Sequence, residues 1–517
     1  MEKKRQEIII FILTVAVAFF IGLIGIRFFF RVDMTTSRTF TISKVSKNLF
    51  TEIPEEVHLV YVISEKLKRL SAFPEQVEDL LYEYAAFSRG KIKVTVVDPV
   101  KDGITAQVES LGVMPQQIEV IEQNEQSLAM VYTGIVIEYL DRQSSLPLVF
   151  RTETLEYELT SAIRRLVKGD EKMLGVLVGD AGRSLDQEYG MLKQQFQQDY
   201  TIKELRMGDP IPDDISALMI VSGKDISKED LKPIDSYIQR GGQALFCVDG
   251  VYIDLAGGLA AQPLENSPIL DFLKNYGVSV EPAMVLDQYN RDFRLPVQLL
   301  GNTAWQIIGP YPYWVAVNAS NVSAENPVTA RFQGLDLLWP DRLTKTDKEG
   351  IRTEVLLKSS KDAYLVSNNF DLDPSKGERL FFAAGDTQGQ YDLGYALYGT
   401  FPGYFDPAEK SAETRIMVIG TSMFPSNIVQ YSDSSYNMAF LGNVAEWLSS
   451  DDDLLAIKTR FVRDMRLNKI EEPQGKMRAF FMSQLVNLVF VPILVIAFGL
   501  NRFLKRRKKQ NLQNKEA

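Results

Sequence analysis

Two long apolar runs stand apart from the rest of the chain. The first, Ile8 to Ile26, carries no charge and is extended by Phe28, Phe29 and Phe30 beyond Arg27. As a helix it would rise by roughly 30 Å, the thickness of a bilayer's hydrocarbon core. The second, Ala479 to Leu500, is followed by Arg502, Lys505, Arg506, Arg507, Lys508 and Lys509. The pattern predicts two transmembrane helices, over 8–30 and 479–500, flanking a long stretch of ordinary globular alternation. Basic residues stay on the cytoplasmic side of such helices. The basic tail 501–517 and the short segment 1–7 are therefore expected in the cytoplasm, and the bulk outside it. The expectation is a two-pass protein of the bacterial inner membrane. No small-residue cleavage pattern follows the first run, which argues against a removed signal peptide.

Between the runs, period-2 and period-3.6 patterns alternate. Ser43 reads as the cap of a short helix through Phe50. Val57 to Ile63 is an apolar strand, and Pro74 opens a helix with Val77, Leu80, Leu81, Tyr84 and Phe87 on one stripe. Lys91 to Val97 is a strand and Ala106 to Leu111 a short helix. Ile118 to Glu122 and Met130 to Leu140 read as an antiparallel pair, and Thr152 to Val167 as a helix with Leu155, Leu159, Ile163 and Leu166 inward. That order, βαβαββα, is the order of a thioredoxin-like module, here over 31–168 and without a CxxC motif.

From residue 169 the pattern becomes that of a doubly wound α/β domain, expected to run to 460. Strands are predicted at Leu174 to Val178, Thr201 to Arg206, Ala217 to Val221, Gln243 to Val248 and Arg415 to Ile419, with helices between them. Residues near 290–350 look irregular, with strands resuming at Thr353 to Lys358, Ala363 to Ser367 and Arg379 to Ala384. A juxtamembrane linker, 461–478, completes the division.

Composition narrows the function. The 517 residues have a net charge of −10, and both ends are basic, so the body is more acidic still. An acidic body repels phosphate backbones, which argues against nucleic-acid binding. Cys247 is the single cysteine and His58 the single histidine. One histidine leaves no His-rich metal site and no ordinary nucleophile–histidine relay, and no metal or cofactor is expected. No GxxxxGK[ST] motif is present, so the chain does not carry an ATPase motor. Asp451, Asp452 and Asp453 lack the spacing of a calcium loop and read as a solvated turn.

The loops after the predicted parallel strands are the natural place for a ligand, because the carboxyl ends of such strands line the crevice of an open sheet. They hold Asp180 and Gly182, Ser222, Asp249, and Thr421 with Ser422. Turns rich in Gly, Asp and Ser are also ordinary strand-to-helix connections, so this crevice is a candidate and not an assignment.

Several stretches taken together resemble a known family: Phe40-Thr-Ile-Ser, Leu80-Leu-Tyr-Glu-Tyr-Ala, Val97-Asp-Pro, Leu155-Glu-Tyr-Glu-Leu-Thr, Asn326-Pro-Val-Thr-Ala, Arg415-Ile-Met-Val-Ile-Gly-Thr-Ser-Met-Phe and Asn443-Val-Ala-Glu-Trp-Leu. In order and spacing, from about Asp33 to Trp447, they resemble the GldG-like auxiliary component of gliding-motility-type ABC transporters. The resemblance implies an extracytoplasmic subunit accompanying a separate ABC permease and a separate ABC ATPase. It also implies an α/β part similar to glutamine-amidotransferase domains without their activity. The leading expectation is a non-catalytic subunit that presents a surface to an extracytoplasmic protein or glycan cargo. Cys247 falls near the end of a strand, where that fold places its nucleophile, yet His58 lies in the other module and a thiol needs a base. Two rival readings remain: a glycan- or peptide-binding receptor using the α/β crevice, and an anchored hydrolase or amidotransferase.

Overall fold

The protein is described here by a computed structural model. It covers residues 42–450 apart from 123–124, 151, 153, 170–171, 198–199, 300–301, 330–331 and 433–435, together with residue 499.

The amino-terminal part comprises α1 (Lys44–Glu52), β1 (Val57–Ile63), α2 (Glu65–Leu70), α3 (Phe73–Phe87), β2 (Ile92–Val97), α4 (Thr105–Ser110), β3 (Gln116–Glu122), β4 (Glu125–Val131), β5 (Thr133–Tyr139), β6 (Arg142–Leu146) and α5 (Leu155–Lys168). Ser43 caps α1 by accepting the Ser46 N–H. The sheet runs β2-β1-β5-β6, with β1 parallel to β2 and antiparallel to β5. Alternation along β1 sends Val57, Leu59, Tyr61 and Ile63 toward α1, α3 and α5. Val62 goes to the opposite face, beside Val108 of α4. The expected pairing of Ile118–Glu122 with Met130–Leu140 is corrected. Residues 116–122 pair with 125–131 in a hairpin of their own. The sheet instead receives Thr133–Tyr139 and Arg142–Leu146.

The larger part begins with β7 (Met173–Val178), α6 (Leu185–Glu188), α7 (Gly190–Phe196), β8 (Thr201–Leu205), β9 (Ile215–Val221), α8 (Leu231–Gln239) and β10 (Ala244–Cys247). It continues with β11 (Val251–Asp254), β12 (Ala260–Pro263), α9 (Pro268–Asn275), β13 (Val278–Asp287), β14 (Asn290–Leu299), β15 (Asn302–Val317) and β16 (Leu335–Leu338). The last elements are β17 (Asp341–Lys345), β18 (Ile351–Lys358), β19 (Ala363–Val366), β20 (Asp392–Gly399), β21 (Thr414–Ile419) and α10 (Tyr436–Ser449).

Ten of these strands form one mixed sheet in the order β19-β13-β17-β20-β21-β10-β9-β7-β8, with β18 also paired to β20. The segment β21-β10-β9-β7-β8 is parallel throughout, and the half beyond β21 is antiparallel. Period-2 alternation divides the core. Ala217, Met219 and Val221 of β9 face α7 and α10, while Leu218 and Ile220 face α8 and α9. Both parts belong to one compact unit.

Three further expectations are corrected. Residues 290–317 are not irregular: β14 and β15 form a long antiparallel hairpin. Two register shifts, at Asn290/Arg291 and Phe293/Arg294, break the alternation that would have announced it. The predicted strand at Arg379 to Ala384 is the end of a 3-10 segment, Pro374–Ala383. The fold class with two transmembrane helices, and with it the two-pass inner-membrane localisation, is also corrected: among the described residues no helix is long and apolar enough to cross a membrane. The 15 residues of α3 rise by roughly 22 Å, short of the roughly 30 Å hydrocarbon core. Apart from residue 499, the runs 8–30 and 479–500 themselves lie outside the described residues. What stands is a mixed α/β protein with many strands.

Candidate functional site

The chain leaves β7, steps outward to β8, and returns to the other side of β7 as β9. Such a reversal opens a crevice between the two carboxyl ends, where ligands of open α/β sheets bind. The structure places all six predicted residues at this end of the parallel strands: Asp180 and Gly182 after β7, Ser222 after β9, Asp249 after β10, and Thr421 with Ser422 after β21.

It buries five of them there and joins two pairs directly, Ser422 with Asp249 and Asp180 with Gly182. The Ser422 N–H and hydroxyl both donate to Asp249, to Oδ1 and Oδ2 respectively, each at 2.6 Å. The Thr421 hydroxyl donates to the Leu338 carbonyl at 2.7 Å and accepts the Met423 N–H at 3.1 Å. Asp180 accepts the Gly182 N–H at 3.0 Å and lies 3.2 Å from Arg183 Nε. Asp180, Ser222, Asp249, Thr421 and Ser422 are all buried, and Gly182 alone is exposed. The loops after β7 and β9 touch backbone to backbone: Gly179 donates its N–H to Val221, and a Cβ on Gly179 would sit 2.5 Å from the Ser222 carbonyl oxygen. Ser222 takes a left-handed φ of 59° to make that approach, a conformation with a strain cost for a residue bearing a side chain.

Sequence reasoning missed two members. Arg183 stands three residues after Asp180 in a stretch chosen for its glycines, and its side chain is 7% exposed. It donates to the Ile253 carbonyl at 3.3 Å and lies 5.3 Å from the Tyr252 ring centre, over which Lys224 also sits. Burial works against its charge, but Tyr189, Asp249 and Asp180 outweigh that and hold it protonated. Asp341, the first residue of β17, is fully buried, and its Oδ2 accepts the N–H groups of Gly250 at 2.6 Å and Val251 at 3.0 Å. No local motif marks Asp341. It arrives on an antiparallel strand some 90 residues downstream of the loop it holds.

Two buried carboxyl groups, Asp180 and Asp249, thus act on the Arg183 guanidinium, and Asp341 feels the charge of Asp249. Burial pushes the Asp249 carboxyl above the usual carboxylate range, with the two Ser422 bonds and Arg183 opposing. Asp341 is pushed up further, by burial and then by the neighbouring Asp249 charge. Burial and then Asp249 also push the Cys247 thiol well above its ordinary value. A thiol held protonated is a poor nucleophile, and the base that would activate it is elsewhere. His58, on β1, places Nδ1 3.1 Å from Glu138 and Nε2 2.7 Å from Thr95. Among the described residues no group of three His, Cys, Asp or Glu side chains is placed to hold a metal ion.

Comparison with known proteins agrees with the transport reading. A family model described as an ABC-type uncharacterized transport system matches residues 171–449, more than half of the chain. A second model, described as a domain of unknown function, matches residues 36–138. A relative from Borreliella burgdorferi, labelled an uncharacterized protein, is 27% identical over 521 residues, covering 98% of this chain and 100% of its own length. These matches carry the auxiliary component of an ABC transport system but not the gliding-motility type in particular. The chain belongs to the ABC-type uncharacterized transport system family, as an auxiliary component with a transport-associated role.

Proposed function

We propose that the chain is a non-catalytic subunit that works beside a separate ABC permease and a separate ABC ATPase, as the resemblance to gliding-motility-type components implies. Its α/β body would serve as an interaction surface for a protein or glycan that the transporter handles. The observation that carries this reading is the fate of the one residue positioned like a nucleophile. Cys247 is enclosed at the end of β10, its thiol is held protonated, and the chain's single histidine sits on the sheet of the other part. Two strand-end groups are also engaged within the fold: Ser422 bonds Asp249, and Asp341 Oδ2 holds the loop Gly250–Val251. Both engagements support the non-catalytic reading.

The test is affinity purification of the tagged full chain from its own host in mild detergent. An ABC ATPase and a multi-span permease are expected to co-purify in fixed proportion, and a Cys247→Ser variant is expected to support transport unchanged. Repeated recovery of the chain alone, or loss of transport in the folded Cys247→Ser protein, would overturn the proposal.

A further inference from the structure

The packing of α5 and α10 leaves one face of each helix unused by either core. On α5, Leu155, Leu159 and Ile163 are fully buried against the four-stranded sheet, whereas Glu158, Ser161, Arg164 and Arg165 turn away from it. On α10, Phe440, Leu441, Val444 and Leu448 pack on the large sheet, whereas Ala439, Gly442, Asn443 and Glu446 turn outward. The two outward faces line a common cleft of 790 Å3, within the range of about 300–1,000 Å3 typical of small-ligand sites. Small residues, Ala439 and Gly442 opposite Ser161, keep the helices from filling it. A Cβ at Gly442 would meet nothing within 4 Å. This cleft is distinct from the strand-end network, and junctions between folded parts are a common location for ligand sites.

Its chemistry is two-signed. Arg164 and Arg165 stand with Glu158 on the α5 wall, Glu446 on the α10 wall, and Asp214 also lines the cleft. Lys172 closes one end, donating to Ser450 Oγ at 2.8 Å and Ser449 Oγ at 3.3 Å. A ligand of one sign would meet attraction and repulsion within the same cleft, whereas a dipolar ligand can satisfy groups of both signs. A guanidinium has five donors in a fork that fits a carboxylate, so each arginine can keep its intramolecular partners and still receive one. Asn443 adds an amide that can both donate to and accept from a peptide group.

We infer that the cleft between α5 and α10 binds a short zwitterionic peptide, its carboxylate toward Arg164 and Arg165, its ammonium toward Glu446 and its backbone along Asn443. The probe is trialanine, titrated into the full chain by isothermal calorimetry, beside its N-acetylated and C-amidated forms. Saturable binding of trialanine in the millimolar range or tighter is expected. Blocking either end should weaken it by about tenfold or more, as should Arg165→Ala for the free peptide. Gly442→Phe, which occupies the cleft, should abolish binding while the circular dichroism spectrum and Tm stay unchanged. If that variant does not fold, Glu446→Gln replaces it, with the loss expected to be larger for trialanine than for the N-acetylated form. The inference is overturned by absence of saturable binding, by equal binding of the capped peptides, or by binding that survives the substitutions.

Discussion

Ser422 meets Asp249 twice, through its backbone N–H and through its hydroxyl, at 2.6 Å each. This double contact clips the loop after β21 to the loop after β10 at the carboxyl ends of two parallel neighbours. Hydrogen bonds to a buried charged group contribute about 1.5–3 kcal/mol each. Ser422→Ala removes one and leaves Asp249 Oδ2 without a donor. The expected outcome is a loss of about 2 kcal/mol in equilibrium urea unfolding. A change within the experimental error would show that the clip contributes nothing to stability.

Asp341 yields a prediction with a definite sign. An aspartate in an unfolded chain titrates near pH 4, and burial and Asp249 hold the folded Asp341 well above that. The stability that its bound proton contributes is fully present below about pH 4 and is lost as pH rises through the folded value. Asp341→Asn keeps an oxygen for the Gly250 and Val251 N–H groups and carries no charge. Its Tm relative to the parent should therefore rise steadily from acidic toward alkaline pH. A Tm difference that is flat across that range would refute the account of a protonated Asp341.

Glu156 fastens α1 to α5. Its Oε1 accepts the Ser43 N–H at 2.6 Å and the Ser46 hydroxyl at 2.7 Å, in a buried cluster completed by Thr160 and the Tyr84 hydroxyl. Glu156→Ala should destabilise by about 3 kcal/mol, the sum of two bonds to one charged acceptor. Glu156→Gln, which retains an oxygen acceptor, should lose less than half as much. Limited proteolysis reads the same event: cleavage ahead of β1 should accelerate in the alanine variant and hardly change in the glutamine one. Equal behaviour of the two would mean that packing, and not the acceptor, holds α1 in place.

What could be read in advance followed the distance over which each signal acts. Ser43 was legible as a cap because a helix start is decided within four residues. The strand-end residues were legible because parallel strands bring their carboxyl ends together whatever the connecting helices do. The β5–β6 pair was misplaced because strands β3 and β4 precede it with equal β character, and pairing depends on partners elsewhere in the chain. Asp341 was invisible for the same reason in stronger form. Its role exists only once β17 has been carried to the loop after β10. Arg183 directly follows Gly182 and was passed over because the burial of its side chain, unusual for an arginine, is decided by Tyr252, Ile253 and Met423 from other segments. The crevice itself follows the general rule for open sheets, and beside it the backbone of Gly179 comes close to Ser222.

The placement of β21 beside β10 has a consequence for a ribosome making this protein. Strand β10 ends at Cys247, and its parallel neighbour begins only at Thr414. At about 5–20 residues per second, the interval between them lasts on the order of ten to thirty seconds. Throughout it, the unpaired N–H and C=O groups along one edge of Ala244–Cys247 wait for a partner that has not been synthesised. Unpaired edges of this kind recruit other chains. Nascent chains in that window thus carry an edge open to wrong partners, and a stop between Asp249 and Glu413 leaves β10 without its β21 neighbour.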